Sequence, residues 1–592
     1  MPKVSVKKLF QNAQDLLKET FGFKAFHPTQ ETAIHAVLAG KDALVIMPTG
    51  GGKSMCYQIP AMVLGGISIV VSPLIALMKD QVDALRANGV AAEFLNSSIP
   101  PERQHEIITD VLEGNVALLY VSAERLLSPD FIKILKKITP KLFAIDEAHC
   151  ISAWGHDFRP DYTRLSQIKS LFPKTPLIAL TATADEITRQ DIITQLELNS
   201  PLVLIDSFDR PGISLSVLPG QNRIQKITEF VSDKVGQSGI IYCLTRKKTE
   251  SIAKKLQQTG FTAASYHAGM SSADRSKIQK SFVRDKTQII CATIAFGMGI
   301  DKSNVRWIIH YNLPKNIEGY YQEIGRAGRD SAPAQALLFY SYADVEMIKK
   351  FFIDVKQGAL QLAKLERMKE FAEGVICRRK ILLQYFGETY PKNCNNCDVC
   401  ESPYTTRNGT KITESILNLI IDLSSDGYIS TTQLISALTK SSDKVNFASW
   451  YFYLAQLKNQ GIIDINFAKN QSLFVTKKGT EILKKKKPVR LVLLDTFIER
   501  QENIGKSTKK RSKKKPKKDY FKNPLYEKLR EIRYDLAQKN SLAAYMVFSD
   551  ATLLEMAHEK PKNKSEMLGI SGVGEIKWER YGESFLQAIR DT

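Results

Sequence analysis

Three short runs hold the residues with the plainest chemistry. MPTGGGKS (47–54) follows the apolar stretch ALVIM. Gly50, Gly51 and Gly52 let backbone N–H groups crowd around phosphates, and a following helix aims its positive end at them. Lys53 has the reach for the β and γ phosphates of a nucleotide, and Ser54 has the hydroxyl for Mg²⁺. With Thr49, these residues form the expected nucleotide-binding loop. Met47 stands where such loops carry a first glycine, so a ligand-free Gly-rich turn is the competing reading. Asp146-Glu147-Ala148-His149 follows the strand-like LFAI. A carboxylate at the end of a buried strand can hold Mg²⁺ through water, and its neighbour can orient or deprotonate an attacking water. Two acids in a solvated loop is the bland alternative. In QEIGRAGRD (322–330), Arg326 and Arg329 have the spacing of one helical face. Paired guanidinium groups suit a triphosphate met from across a cleft, with a solvated surface pair as the alternative.

Eight cysteines divide into two groups. Cys56, Cys150, Cys243 and Cys291 are scattered in apolar or Gly-rich contexts and read as buried free thiols. Cys377, Cys394, Cys397 and Cys400 follow C-x16-C-x2-C-x2-C. That spacing can form the closed S4 shell that structural Zn²⁺ prefers. No histidine lies between His310 and His558, so the shell is all-Cys. A chance cluster or a pair of disulfides competes with this reading.

These residues need elements to position them. Continuous apolar runs mark strands at Ala43–Met47, Ser68–Val71, Val116–Val121, Leu142–Ile145, Leu177–Leu180 and Val203–Ile205. A second series is Gly239–Cys243, Ile289–Ala292 and Val305–Tyr311. Runs without alternation belong to parallel sheets covered on both faces. Two series, split near 207–219, predict two doubly wound α/β units in tandem. Beyond the cysteines, 411–487 reads as three helices and a hairpin, 461–466 and 471–476, which suggests a winged helix. KSTKKRSKKKPKK (506–518) reads as a disordered basic linker. The last segment is all-helical. Its GISGVG run (569–574) reads equally as a phosphate-gripping turn or as a protein contact.

Together these motifs resemble a superfamily 2 helicase. They stand in that family's order: FGFKAFHPTQ (21–30), MPTGGGKS, VVSPLIALMKDQ (70–81), DEAH, TAT (181–183), IIYC (240–243), CATIAFGMGIDK (291–302) and QEIGRAGRD. More closely, the chain is similar to the RecQ DNA helicases. AHCISAWGHDFRPDY (148–162) resembles their aromatic-rich loop. CRRKILLQYFGE (377–388) opens their zinc pattern. The C-terminal unit resembles their helicase-and-RNase-D C-terminal (HRDC) domain. The resemblance implies that Phe23 and Gln30 recognise adenine, beside His27. It implies that Trp154, Phe158 and Arg159 sense single-stranded DNA, and that Arg329 is the arginine finger with Arg326 in support. It further implies that the winged helix binds duplex DNA and that movement is 3′→5′. The chain departs from the family at His27, which replaces a usual Arg, and at Ala153 and Gly212.

The expectation is a multidomain α/β protein with two tandem RecA-like parallel-sheet lobes (1–207 and 208–343). A zinc-binding helical module (344–405), a winged helix (406–490), a basic linker (491–519) and a small helical HRDC-like domain (520–592) follow. Its expected activity is that of an ATP-dependent DNA helicase in recombination and repair, using ATP, Mg²⁺ and Zn²⁺. The alternatives are an RNA helicase and a non-catalytic DNA-binding scaffold. Expected partners are single-stranded and duplex DNA, with a single-stranded-DNA-binding protein or other repair proteins, and no membrane. The N-terminus lacks the apolar core of a secretory signal. The expected location is the cytoplasm of a bacterium, on the nucleoid, or the nucleus of a eukaryote.

The chain has 592 residues and a net charge of +21, which points to a polyanionic partner. Nine Lys/Arg fall in 506–518 and five more in 484–490, leaving about +7 for the rest. The charge therefore supplies local, salt-sensitive attraction to DNA rather than a uniformly basic core.

Overall fold

The computed structural model describes residues 5–96, 99–152, 159–184, 186–234, 236–294, 296, 302–352, 358–424, 429–441, 445, 447–466, 472–499, 523–540 and 542–591. Trp154 and Phe158, the hairpin tip at 467–470 and the basic run 506–518 lie outside the described residues.

The first lobe is a seven-stranded, all-parallel sheet. Its strands are β1 (Ala43–Ile46), β2 (Ser68–Val71), β3 (Ala92–Leu95), β4 (Leu118–Val121), β5 (Leu142–Ile145), β6 (Leu177–Thr181) and β7 (Leu202–Ile205). They lie in the order β3-β4-β2-β5-β6-β1-β7. The second lobe has six parallel strands: β8 (Ile213–Pro219), β9 (Ser238–Tyr242), β10 (Ala263–Tyr266), β11 (Ile289–Ala292), β12 (Val305–His310) and β13 (Ala334–Tyr340). Their order is β10-β11-β9-β12-β13-β8. Among the inner strands, β1, β2, β4, β5, β6, β9, β11 and β12 are buried along their whole length, which is why they read as unbroken apolar runs.

The sequence reading assigned no strand at β3, β8, β10 or β13. Three of these, β3, β8 and β10, are sheet edges in which covered residues are mixed with partly open ones. These three carry no continuous apolar run to read, whereas the edge strand β7 carries LVLI and is among the expected strands. The fourth, β13, is internal, and its ALLFY run suits a buried helix as well as a strand.

Helices Gly358–Ala372 and Arg378–Tyr385 lead into the cysteine cluster. Beyond it, helices Thr410–Ser424, Thr431–Ser441 and Phe447–Asn459 precede an antiparallel pair, Ile463–Asn466 with Ser472–Val475. Three helices and a hairpin appear as expected, and Trp450 is core at 4% exposure. This unit is locked to the preceding one by buried polar contacts. Lys458 pairs with Glu370, and Asn459 Nδ2 donates to Glu370 O at 2.9 Å.

The C-terminal unit is all-helical, from Pro524–Lys539 to Glu583–Arg590. It has a separate core built on Leu529, Val547, Phe548, Leu553 and Phe585. No helix among the described residues is long and apolar enough to cross a membrane.

Candidate active site

The loop 47–54 leaves β1 and enters the helix Met55–Leu64. Gly50 and Gly52 adopt φ of 83° and 76°, left-handed values that a side chain would resist. Gln30, from the helix Pro28–Leu38, braces the turn. Its Nε2 donates to Gly51 O at 3.1 Å and Gly52 O at 3.2 Å, and its Oε1 accepts from His27 N at 2.9 Å. Phe23 is 43% exposed beside this helix, and His27 is also exposed.

Lys53 is the electrostatic centre of the cleft. Its Nζ donates to Met47 O at 3.3 Å. Burial pulls its ammonium below its ordinary pKa. Glu147 and Asp146 oppose that shift, while Arg329 and Arg210 add to it. The acids arrive from β5. Asp146 Oδ1 accepts from Glu147 N at 3.0 Å. Glu147 is left-handed, with φ 48°, which costs about 1 kcal/mol and persists because its surroundings hold it. Its Oε2 lies 3.3 Å from His149 Nδ1, and that ring nitrogen is 2.9 Å from Thr181 Oγ1. The DEAH and TAT runs are therefore in direct contact. Ser54 hydrogen-bonds Tyr57 at the start of the next helix.

The second lobe closes the cleft. A Cβ on Gly50 would stand 3.2 Å from Arg329 Cα, and one on Gly325 would stand 3.2 Å from Thr49 Cβ. Arg326 and Arg329 are not on a helical face. The helix Ile317–Ile324 ends at Gly325, and 325–330 is a run of turns. Gly328, at φ 61°, lies within that run, so helical geometry fails there. Arg326 bonds the Tyr242 hydroxyl, while Arg329 faces the loop around Lys53.

Arg210 was missed from the sequence. It donates to Thr49 O in the first lobe, and to Ala327 O at 3.2 Å and Gly328 O at 3.0 Å in the second. One guanidinium thus ties the phosphate loop to the arginine run, and burial lowers its pKa. Only the motif FDRP (208–211) could have flagged it.

At the carboxyl end of the first-lobe sheet, just past β2, Arg159 Nη1 donates to Pro73 O at 2.6 Å. This joins the end of the aromatic-rich loop to the run 70–81.

The four cysteine sulfurs all lie within 4.8 Å of one another, and Cys394 Sγ is 3.8 Å from Cys400 Sγ. Tetrahedral zinc with Zn–S near 2.3 Å sets sulfurs about 3.8 Å apart, so the residues fit the ion. Backbone N–H groups of Asn396 and Cys400 point at Cys394 Sγ and Cys397 Sγ, both at 3.4 Å. Arg378 fixes the turn by a two-pronged bond to Asp398, both distances 3.0 Å. The module also holds the segment joining the lobes. Arg379 pairs with Asp209 at 2.6 Å, Glu388 accepts from Phe208 N at 2.9 Å, and Phe386 stacks on Phe208 at 4.5 Å. The other four cysteines are buried, and burial pushes the Cys56 and Cys243 thiols up to about 12.

Four family models match the chain. They are the DEAD/DEAH box helicase (27–192), the helicase conserved C-terminal domain (222–331), the RecQ zinc-binding domain (342–401) and the HRDC domain (522–589). The chain is 42% identical to an ATP-dependent DNA helicase RecQ of Pasteurella multocida, over 98% of its own length and 94% of that protein. It is 36% identical to an ATP-dependent DNA helicase RecQ of Bacillus subtilis, over 98% of itself and 99% of that protein. It is 41% identical to the ATP-dependent DNA helicase hus2/rqh1 of Schizosaccharomyces pombe, over 69% of itself and 32% of that protein.

Proposed function

This chain belongs to the RecQ family of ATP-dependent DNA helicases, and from that premise we propose how its cleft turns over ATP. It is a DNA helicase with ATPase activity, of the kind that serves repair and recombination. In our reading ATP lies between the lobes, with Phe23 and His27 at the adenine and Gln30 bracing the loop. Backbone N–H groups of Thr49 to Gly52 and the Lys53 ammonium hold the phosphates. Ser54 and Asp146 would hold Mg²⁺, which neutralises phosphate charge when bound. Glu147 orients the attacking water and takes its proton, and His149 steadies that carboxylate from behind. Arg329 supplies positive charge to the transferring phosphoryl group, and Arg326 supports the turn that carries it. The observation that carries this reading is the convergence of Asp146, Glu147, Arg329 and Arg210 on Lys53.

Hydrolysis followed by phosphate release loosens the cleft, because the γ-phosphate that Lys53 and Arg329 share then departs. Arg159, joined to the first lobe through Pro73, passes that change to the DNA together with Trp154 and Phe158. We assign 3′→5′ movement and strand separation at the hairpin 463–475 on the family resemblance. The four cysteines hold zinc, which contributes folding free energy to the module that grips the joining segment. Domain boundaries are proposed at 207/208, 343/344, 405/406, 490/491 and 519/520. The place of action is the nucleoid, or the nucleus in a eukaryote, and a single-stranded-DNA-binding protein is a proposed partner.

The test is ATP hydrolysis with single-stranded DNA, RNA or neither, beside unwinding of forked, 3′-tailed, 5′-tailed and blunt duplexes at stated salt. Stimulation by DNA above RNA, with unwinding of 3′-tailed forks, is expected. Unwinding that needs a 5′ tail would reverse the assigned direction.

A further inference from the structure

The C-terminal unit has its own core, yet it is seated on both lobes. On the first lobe, Gly572 N donates to Gly22 O at 3.2 Å and Arg580 Nη1 to Ala87 O at 2.8 Å. The approach is close enough that a Cβ on Gly22 would stand 2.6 Å from Gly574 N. The GISGVG run is thus a protein contact within the chain. On the second lobe, Arg530 Nη2 donates to Gly236 O at 3.0 Å, and Asp550 Oδ2 lies 3.5 Å from Arg306 Nε. Arg306 also holds Asp330 at 2.6 Å, and Asp330 directly follows Arg329. Asp550 in turn holds Arg533 at 2.8 Å. These four side chains are buried, with exposures of 1% for Asp330, 2% for Arg306, 6% for Asp550 and 2% for Arg533.

We propose that the C-terminal helical unit is a clamp across the ATPase cleft. It grips the second lobe through Asp550, Arg306 and Asp330, beside Arg329, and rests on the first lobe through GISGVG. The two attachments differ in kind. The second-lobe grip is a buried chain of alternating charges, and parting it strands a charge on each side. The first-lobe seat is made to neutral backbone carbonyls. Hydrogen bonds between ions are roughly twice as strong as neutral ones. When the cleft opens, the first-lobe seat is therefore the one that parts, and the unit travels with the second lobe. A seated unit favours the closed cleft, which retains both ATP and ADP. Releasing the seat raises kcat, where product release is limiting, and raises KM with it. This rests on the proposed site between the lobes.

The test uses the full chain with Arg580→Glu, an exposed substitution on the first-lobe seat. Ile576→Asp, whose Cδ1 would stand 3.1 Å from a Cβ on Gly89 of the first lobe, serves as a second variant should the first be unstable. Two quantities are read: the radius of gyration by solution scattering without nucleotide, and DNA-saturated ATPase kinetics. The expected result is a larger radius, a KM for ATP up about fivefold and a kcat up about twofold. A lowered kcat at constant KM would mark structural damage and overturn the clamp. So would a released unit with unchanged kinetics, or a parent whose radius already matches a detached unit. Scattering does not depend on turnover. A parent without DNA-stimulated hydrolysis would refute the proposed site while leaving the scattering result on the clamp to stand.

Discussion

In the first lobe, β1 lies at the position next to β6 and turns into the helix Met55–Leu64. In the second lobe, β8 holds the same position next to β13 and turns into the helix Arg223–Ser232. The neighbouring strands correspond as well: β5 delivers Asp146, and β12 delivers Tyr311 and Asn312. A cavity of about 540 Å³ marks this place in the second lobe, lined by Gly220, Asn222, Arg223, Lys248, Tyr311 and Asn312 among others. The cation of that turn is already spent on the fold. Arg223 Nη2 pairs with Asp344 at 2.9 Å and its Nη1 donates to Tyr311 O at 2.5 Å, with the guanidinium 5.0 Å from the Tyr311 ring centre. In the first lobe the corresponding cation, Lys53, has its opposing charges on Glu147 and Asp146 at the end of β5. One frame thus serves two ends. The two turns differ in where the positive charge sits: Arg223 is held in an ion pair with Asp344, and Lys53 lies among Glu147, Asp146, Arg329 and Arg210.

That contrast can be broken by substitution. Lys53→Ala is expected to cut DNA-stimulated ATP hydrolysis by about 10⁴-fold while the melting temperature stays within a few degrees. A variant that hydrolyses ATP at the parent rate would remove the distinction between the lobes. Arg329→Ala is expected to cost about 10³-fold in kcat, with a much smaller change in nucleotide affinity measured by equilibrium binding. Equal losses in both quantities would make it a binding residue only. Arg210→Ala removes a bridge rather than a reacting group, so about a tenfold loss in kcat/KM is expected. An Arg210→Lys variant should recover only part of it, because one ammonium cannot serve three carbonyls in the same fork. The mirror position gives the smallest effect on turnover. Arg223→Ala should leave ATPase rates within about twofold of the parent yet lower unfolding stability by about 3 kcal/mol, because a buried Asp344 is left without its partner. Denaturant melts beside steady-state rates would check it, and a large loss of activity at constant stability would show chemistry at the second turn.

Apart from β13, the interior of both sheets was legible because fully covered strands admit only apolar residues, as LFAI and IICA illustrate. Three of the four edges were not, since AEFL, AASY and ISLSVLP carry polar residues on faces that the fold leaves partly open, while the edge β7 was legible through its LVLI run. The first-lobe part of the site was legible for a related reason. Phosphate binding needs a loop, a lysine and a strand-end carboxylate, all close in sequence to the strand that presents them. Arg210 was not legible, because its partners Thr49 and Gly328 lie far along the chain and only the tertiary fold brings them together. The arginine run was legible in its residue types but not in its shape. Spacing suggested a helical face, and Gly325 and Gly328 turn the chain instead.

The zinc module is joined to the start of β8 as well as to the segment between the lobes. Leu215 N donates to Asn396 O at 3.2 Å, and Asn396 Nδ2 donates to Pro211 O at 3.0 Å. A body fastened at both places cannot lag behind when the second lobe turns. Mechanically it is an arm on that lobe's axle, and the three-helix unit locked to it through Glu370 extends the arm outward. A small rotation of the second lobe would become a longer displacement at the strands Ile463–Asn466 and Ser472–Val475, in proportion to the length of this arm.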